Sequence, residues 1–183
     1  MIILASASPV RARLLEKFGI KFTQKPLNFD EDSIQATDPK EFVFQATIGK
    51  FKNALENFGL QEPVLAADTV VSVSGVLQRK AQNKLEAESF LQSQSNHAIE
   101  IFTCMMYQSS KLEFIDISST KYQFSAFNPK NLNDYLDSQE WIGKAGCVMV
   151  EGFHKSYIKS QIGLESTAMG LSVEKILPFL EII

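Results

Sequence analysis

The sequence predicts a mixed α/β fold, and three observations predict it. An apolar, β-branched opening, Ile2-Ile3-Leu4-Ala5, runs directly into Ser8-Pro9 and a helical stretch that ends at Gly19, which is a strand, tight turn, helix unit. Strand-like and helix-like segments then mix along the rest of the chain, with no internal repeat, low-complexity tract or linker. Finally, 183 residues that are 45% hydrophobic and 21% charged can bury one good core, or two small lobes around a cleft, in a single unit over residues 1–183.

Taken in order, Ser8 suits a helix cap, Pro9 its first position and Gly19 its stop. Residues 20–25 predict a second strand, followed by the acidic loop Asn28 to Ser33, which has neither a helical nor an alternating period. Asp38-Pro39 opens a long helix that reaches about Phe58 and stops at Gly59, with Lys50 inside it. Residues 64–75 predict a strand with the polar pair Asp68-Thr69 at its centre, and Ser74-Gly75 turns it into a short return strand ending near Lys80. A helix over 83–94 and two strands over 98–107 and 111–124 come next, the strands joined through Ser109 to Lys111. Asn128-Pro129 opens a helix to about Ser138, and residues 143–152 with the segment near Tyr157 predict strand and loop. The last stretch, 171–183, predicts a terminal helix interrupted at Pro178.

Composition excludes several function classes. Eighteen basic residues against 21 acidic ones give a net charge of -3, with no dense basic stripe for a nucleic-acid backbone. The first apolar run is too short for a signal peptide and no later stretch approaches a membrane span, so a soluble, cytoplasmic protein is expected. Cys104 and Cys147 lie far apart, which favours reduced thiols over a disulfide or a cysteine zinc site. With only His97 and His154 present, a histidine-built metal site or a Ser-His-Asp triad has no basis. Any metal must rest on carboxylates.

Asp68 is the most informative residue. An ionised carboxylate between VLAA and TVVSV would cost on the order of several kcal/mol if buried alone, so it must be paired, metal-bound or raised to the strand's edge. The turn Ser6-Ala7-Ser8-Pro9 offers two hydroxyls and the backbone N–H groups of a helix start, with Arg11 one turn in, and this makes an anion cradle. An ordinary cap at Ser8 is equally compatible with that pattern. The turn lacks the P-loop and G-x-G-x-x-G patterns, which removes P-loop NTPases and dinucleotide binding. Lys50, Lys80 and Lys144 stand outside charge runs, and each is read either as a phosphate ligand or as a solvated lysine. Carboxylates of Asp30-Glu31-Asp32 facing Asp68 would make an oxygen-lined Mg²⁺ site, although such a loop is commonly just solvated.

In this order the residues resemble the Maf family over nearly the whole chain. Its opening Ser-x-Ser-x-x-Arg signature is matched by Ser6, Ser8 and Arg11, its acidic-loop glutamate by Glu31, and its helical lysine by Lys50. Its Asp-Thr-Val-Val strand is unaltered from Asp68 and Thr69 to Val71, and its Gly-Lys-Pro element falls on Arg79-Lys80-Ala81. Thr103, Glu140, the Lys-Ala-Gly at Lys144, the Glu-Gly at Glu151 and Gly170-Leu171 follow in place. Any one of these strings is weak, and their common order carries the resemblance.

The resemblance implies a mixed-sheet, two-lobed fold like that of inosine triphosphate pyrophosphatases (the Maf/Ham1 type), with a central nucleotide cleft, commonly in a homodimer. It implies a hydrolase of acid anhydrides that cuts a (d)NTP to the (d)NMP and pyrophosphate, clearing non-standard or modified nucleotides. Asp68, Lys80 and Glu31 would then be catalytic, with Mg²⁺ or Mn²⁺ on Asp68 and Glu31, while Ser6, Ser8, Arg11, Lys50, Thr69, Lys144 and Glu151 would bind substrate. Departures bear on the base: Val10 stands where one branch has arginine and another tryptophan, Ala81 replaces proline, and Ile99 a frequent histidine. Glu151 replaces the glutamine of the dTTP/UTP-cleaving branch and resembles the 7-methyl-GTP-cleaving one, so both substrate types stay open. Ser172 replaces the proline of Gly-Leu-Pro near the last helix. A non-catalytic nucleotide-binding regulator of septum formation is the alternative, separated by pyrophosphate release.

Overall fold

The opening apolar run forms β1 (Ile2–Leu4), which pairs in parallel with β2 (Phe22–Gln24) on one edge and with the start of β3 (Val64–Val73) on the other. These elements belong to a computed structural model that describes residues 1–180. Strands β4 (Val76–Gln78), β5 (Ala98–Gln108), β6 (Glu113–Phe124) and β7 (Ile158–Ile162) add antiparallel neighbours. The result is one mixed sheet of order β2-β1-β3-β5-β6-β7, with β4 also on β3. Helices α1 (Pro9–Lys17), α2 (Pro39–Phe58), α3 (Lys84–Gln94), α4 (Pro129–Ser138), α5 (Glu165–Ala168) and α6 (Val173–Leu180) complete it.

The helix starts follow from their caps. The side chains of Ser8, Asp38, Asn83 and Asn128 each accept a first-turn backbone N–H, and three of the four helices carry proline at the first position. Each such cap stabilises its helix by about 1 kcal/mol. The sheet is covered on both faces. On one, Leu14 and Leu15 of α1 pack with Leu65, Ala67, Tyr107 and Ile176; on the other, α2 lays Phe42, Ala46, Phe51 and Ala54 over Ala66, Val70, Phe102 and Met106.

The strand pairing leaves a gap that positions the cleft. Along one edge of β3, β1 reaches only Val64 and Leu65, and β4 begins only at Val71, whereas β5 pairs the whole other edge from Val64 to Val73. The middle of β3, which holds Asp68 and Thr69, therefore has an open edge in the centre of the sheet.

Three expectations are corrected. Residues 143–152 form turns rather than a strand, with one isolated bridge between Lys80 and Ala145. Gly143, Gly146 and Cys147 have φ of 76°, 53° and 59°, which is incompatible with a strand. At Gly146 a Cβ would also lie 2.7 Å from Val71, so only glycine lets this segment close on β3. The helix α6 runs through Pro178 instead of stopping there: near its end the ring removes one backbone bond, and burial of Val173 and Ile176 holds it. The expected continuation over 181–183 lies outside the described residues. The acidic loop contains a short 3-10 turn at Glu31–Ser33, and α5 was not foreseen. Among the described residues no helix is long and apolar enough to cross a membrane. Both cysteines are free and buried.

A buried polar network fixes the 143–152 segment. The Gln94 amide donates to Gly146 O at 2.7 Å and to Gln78 Oε1 at 2.9 Å, and its Oε1 lies 3.0 Å from His154 Nε2. His154 Nδ1 accepts the Met149 N–H at 3.1 Å, so the ring is neutral with its proton on Nε2. Burial among Phe124, Phe127 and Phe153 lowers the His154 pKa to about 3. A pKa depressed in the fold means that unfolded chains bind the proton first, so stability is full above the ordinary histidine value and falls as pH drops below it. We expect a loss of about 2 kcal/mol between pH 7.5 and pH 5 in urea titrations, and a flatter profile over that window in His154→Gln.

Candidate active site

Asp68 lies on the α2 side of β3, only 4% exposed. Helix α2 brings Lys50 over it, and the Lys50 ammonium donates to Asp68 Oδ1 and, at 2.7 Å, to Glu31 Oε1. Lys80, at the end of β4, reaches the same Glu31 oxygen at 3.2 Å. Burial alone would raise the Glu31 pKa, but the charges and hydrogen bonds of Lys50 and Lys80 outweigh it and hold the carboxyl at about 2. Glu31 is thus an anion throughout the physiological range. Of the three acids in its loop, only Glu31 faces Asp68; Asp30 caps the 3-10 turn by accepting the Asp32 N–H, and Asp32 is exposed.

Strand alternation points Thr69 to the opposite face. There its hydroxyl lies 2.9 Å from that of Thr103, its cross-strand partner, and Thr103 in turn donates to Thr167 O at 2.7 Å. Arg11 is half-buried and closely held: Nε donates to Gly170 O at 2.7 Å, Nη1 to Ser6 Oγ at 3.0 Å and Nη2 to Thr69 Oγ1 at 3.1 Å. Of five guanidinium donors three are used, leaving two for a ligand. Burial lowers the Arg11 pKa while Asp68 and Glu31 oppose that shift. Ser8 Oγ caps α1 by accepting the Arg11 N–H, and Ser6 Oγ accepts the Ser8 N–H, so both hydroxyl protons remain free to donate. Gln24 clamps the turn through Ser6 O at 2.7 Å.

These groups meet in one cleft of about 590 Å³, the size of small-molecule sites generally. Ser6, Ser8, Arg11, Glu31, Lys50, Asp68, Thr69 and Lys80 line it, and the 142–151 segment brings Lys144 and Glu151 to the same space. Every sequence-predicted site residue is therefore at the cleft. Val10, Leu27, Phe29, Ile142, Val148 and Met169 supply apolar wall.

The family model described as Maf-like protein matches residues 1–183. The chain belongs to the Maf family. Among its relatives, a protein of Nitratiruptor sp. named nucleoside triphosphate pyrophosphatase is 47% identical over 178 residues, covering 96% of each chain. One of Helicobacter pylori with the same name is 46% identical over 181 residues, covering 99% of this chain and 95% of that one. Among solved structures, the Ham1 protein of Staphylococcus aureus has a TM-score of 0.53 at 11% identity, covering 98% of this chain and 97% of the other. A HAM1 protein of Coxiella burnetii gives 0.51 at 14% identity, covering 100% and 98%. At such identities the likeness is one of fold alone.

In this Maf chain the donor chemistry fits a divalent cation. Oxygens of Glu31 and Asp68 converge on one positive atom, the Lys50 ammonium, and such a pair of carboxylates is the hard-oxygen donor set a divalent cation would take. Among the described residues no group of three or more His, Cys, Asp and Glu is placed to hold a metal, so water and phosphate oxygens would complete the shell. The cysteines are not nucleophiles: burial pushes the Cys104 thiol up to about 11 and the Cys147 thiol up to about 12.

Sequence reasoning missed how the acidic loop is seated. Phe29 packs onto α2 at Gly49, where a Cβ would come within 2.1 Å of its ring. A glycine in mid-helix directly before Lys50 was the available signal, since it weakens the helix by up to about 1 kcal/mol relative to alanine. Gly49→Ala should displace Phe29 and with it Glu31. Turnover is expected to fall at least roughly tenfold while the melting temperature changes by no more than about 3 °C, read by kinetics and calorimetry on the same preparation.

Proposed function

We propose that this Maf protein is a metal-dependent nucleoside triphosphate pyrophosphatase, hydrolysing a (d)NTP to the (d)NMP and pyrophosphate. The observation that carries the reading is one carboxylate, Asp68, at the open edge of β3, bonded to Lys50 and sharing a single cleft with Lys80, Arg11 and a second acid. The shared name of the relatives supports the same reaction. We place the chain in the cytoplasm, as a homodimer of two-lobed single units, clearing non-standard or modified nucleotides.

A triphosphate carries about four negative charges, and a cleft with a few cations matches them without a basic surface. The free hydroxyl protons of Ser6 and Ser8 and the remaining donors of Arg11 bind phosphate oxygens. Lys50 and Lys80 exchange Glu31 for the triphosphate, and Glu31 with Asp68 would hold Mg²⁺ or Mn²⁺. When bound there, the cation would supply charge neutralisation and Lewis acidity at the phosphates. Asp68 Oδ1 bonds Lys50, and its second oxygen has no partner among the described residues. That oxygen orients a water and takes its proton as the water attacks the α-phosphorus. The bond to the bridging oxygen breaks, pyrophosphate leaves, and Lys80 stabilises its charge. Thr69 keeps Arg11 in register, while Lys144 and Glu151 complete the cleft toward the base. Substrates of the dTTP/UTP type and the 7-methyl-GTP type both fall within this reading, and a panel of these triphosphates assayed for pyrophosphate separates them.

In Asp68→Asn the volume is unchanged and Lys50 keeps Glu31 as partner, so the fold should stand while kcat for pyrophosphate release falls about 10³-fold. Near-normal turnover in that variant removes Asp68 from the mechanism. Lys80→Ala is expected to lower kcat/KM roughly 100-fold, and unaltered kinetics would leave Lys80 as a surface cation. A wild-type protein that binds triphosphate with Mg²⁺ yet releases no pyrophosphate would be a regulator instead.

A further inference from the structure

The loop between β2 and α2 carries Glu31 but has little structure of its own beyond the 3-10 turn at Glu31–Ser33. Phe29 at Gly49 and the Asn53 amide, which donates to Asn28 O at 2.7 Å, seat its first half. Its acidic half is held by three cations: Lys50, Lys80 and Arg79. Lys50 and Lys80 line the cleft, whereas Arg79 lies off it, its guanidinium 4.8 Å from the Phe42 ring centroid. Arg79 Nη2 is 3.0 Å from Asp32 Oδ1 and 3.7 Å from Glu31 Oε2, while Nε is buried with no acceptor among the described residues. A buried, unmet donor is costly, so this placement is one that the contacts to Asp32, Glu31 and Phe42 impose. The backbone beneath is fixed as well, because Arg79 O accepts the Gly146 N–H at 2.9 Å.

We propose that Arg79 is a positioning residue, a latch that holds the acidic turn and Glu31 at the cleft after Lys50 and Lys80 have turned to a polyphosphate. This rests on the functional reading above. An entering triphosphate competes with Glu31 for both lysines, since each already bonds Glu31 from within the cleft. At the same moment its charge repels Glu31 and Asp32. Arg79 cannot follow the phosphate because it is stacked on α2 outside the cleft, and it remains the cation holding the turn. Its removal therefore lowers the population of the closed loop and hence apparent affinity, leaving the chemical step intact.

The test uses the whole protein with Arg79→Gln, Asp32→Asn and the double variant. Hydrogen exchange of the 29–35 amides is followed with Mg²⁺ and inorganic tripolyphosphate as probe. The expected result is exchange roughly tenfold faster in either single variant, confined to that segment, with the double no faster than the singles. In pyrophosphate-release assays KM should rise roughly tenfold while kcat stays within about threefold. Unchanged exchange, a uniform rise across the protein, or effects that multiply in the double variant would each overturn the latch. If the wild type releases no pyrophosphate, the functional reading falls, and exchange on tripolyphosphate still decides the latch.

Discussion

The Lys50 ammonium between Glu31 and Asp68 is the interaction on which the rest depends. An aspartate 4% exposed in an otherwise apolar strand cannot be carried ionised without a partner, and the penalty for stranding it is on the order of several kcal/mol. Lys50 meets that demand and, through Glu31, ties the acidic loop to α2 and β3. The same ions that make the apo site tolerable are those that a polyphosphate and a divalent cation would redistribute. Stability and ligand response therefore share one set of charges, and the loop needs a hold that is independent of that set.

Local chemistry made much of the fold legible. Ser8-Pro9, Asp38-Pro39 and Asn128-Pro129 announce helix starts because a side-chain cap and a preset φ act within one turn of chain. Asp68 announced a candidate site because an ionised carboxylate in that strand must be paired, metal-bound or raised to the strand's edge. What stayed hidden depends on distant partners or on unusual backbone. Residues 143–152, with the segment near Tyr157, read as strand and loop, yet left-handed φ at Gly143, Gly146 and Cys147 and the close approach of Gly146 to Val71 make 143–152 turns. Arg79 reads as part of a three-residue string beside Lys80, and only its place over the Phe42 ring and its ion pair with Asp32 show that it lies off the cleft. Gln94 and His154 are ordinary in sequence, and their network joins three separate segments.

The location of the site follows from a conflict between strand geometry and ligand size. Adjacent residues in a strand point to opposite faces, so Asp68 and Thr69 cannot both serve a ligand lying on one face of the sheet. They can serve one that enters at an edge. The break between the β1 and β4 pairings supplies such an edge in mid-sheet, and α2 brings Lys50 from one side while α1 brings Arg11 from the other. That division also explains why Arg11 is so fully engaged with Gly170, Ser6 and Thr69. A guanidinium that must hold its orientation across an open edge gains more from three fixed acceptors than from freedom to move, whereas Lys50 and Lys80, paired to a carboxylate that can accept a metal instead, keep the freedom to change partners.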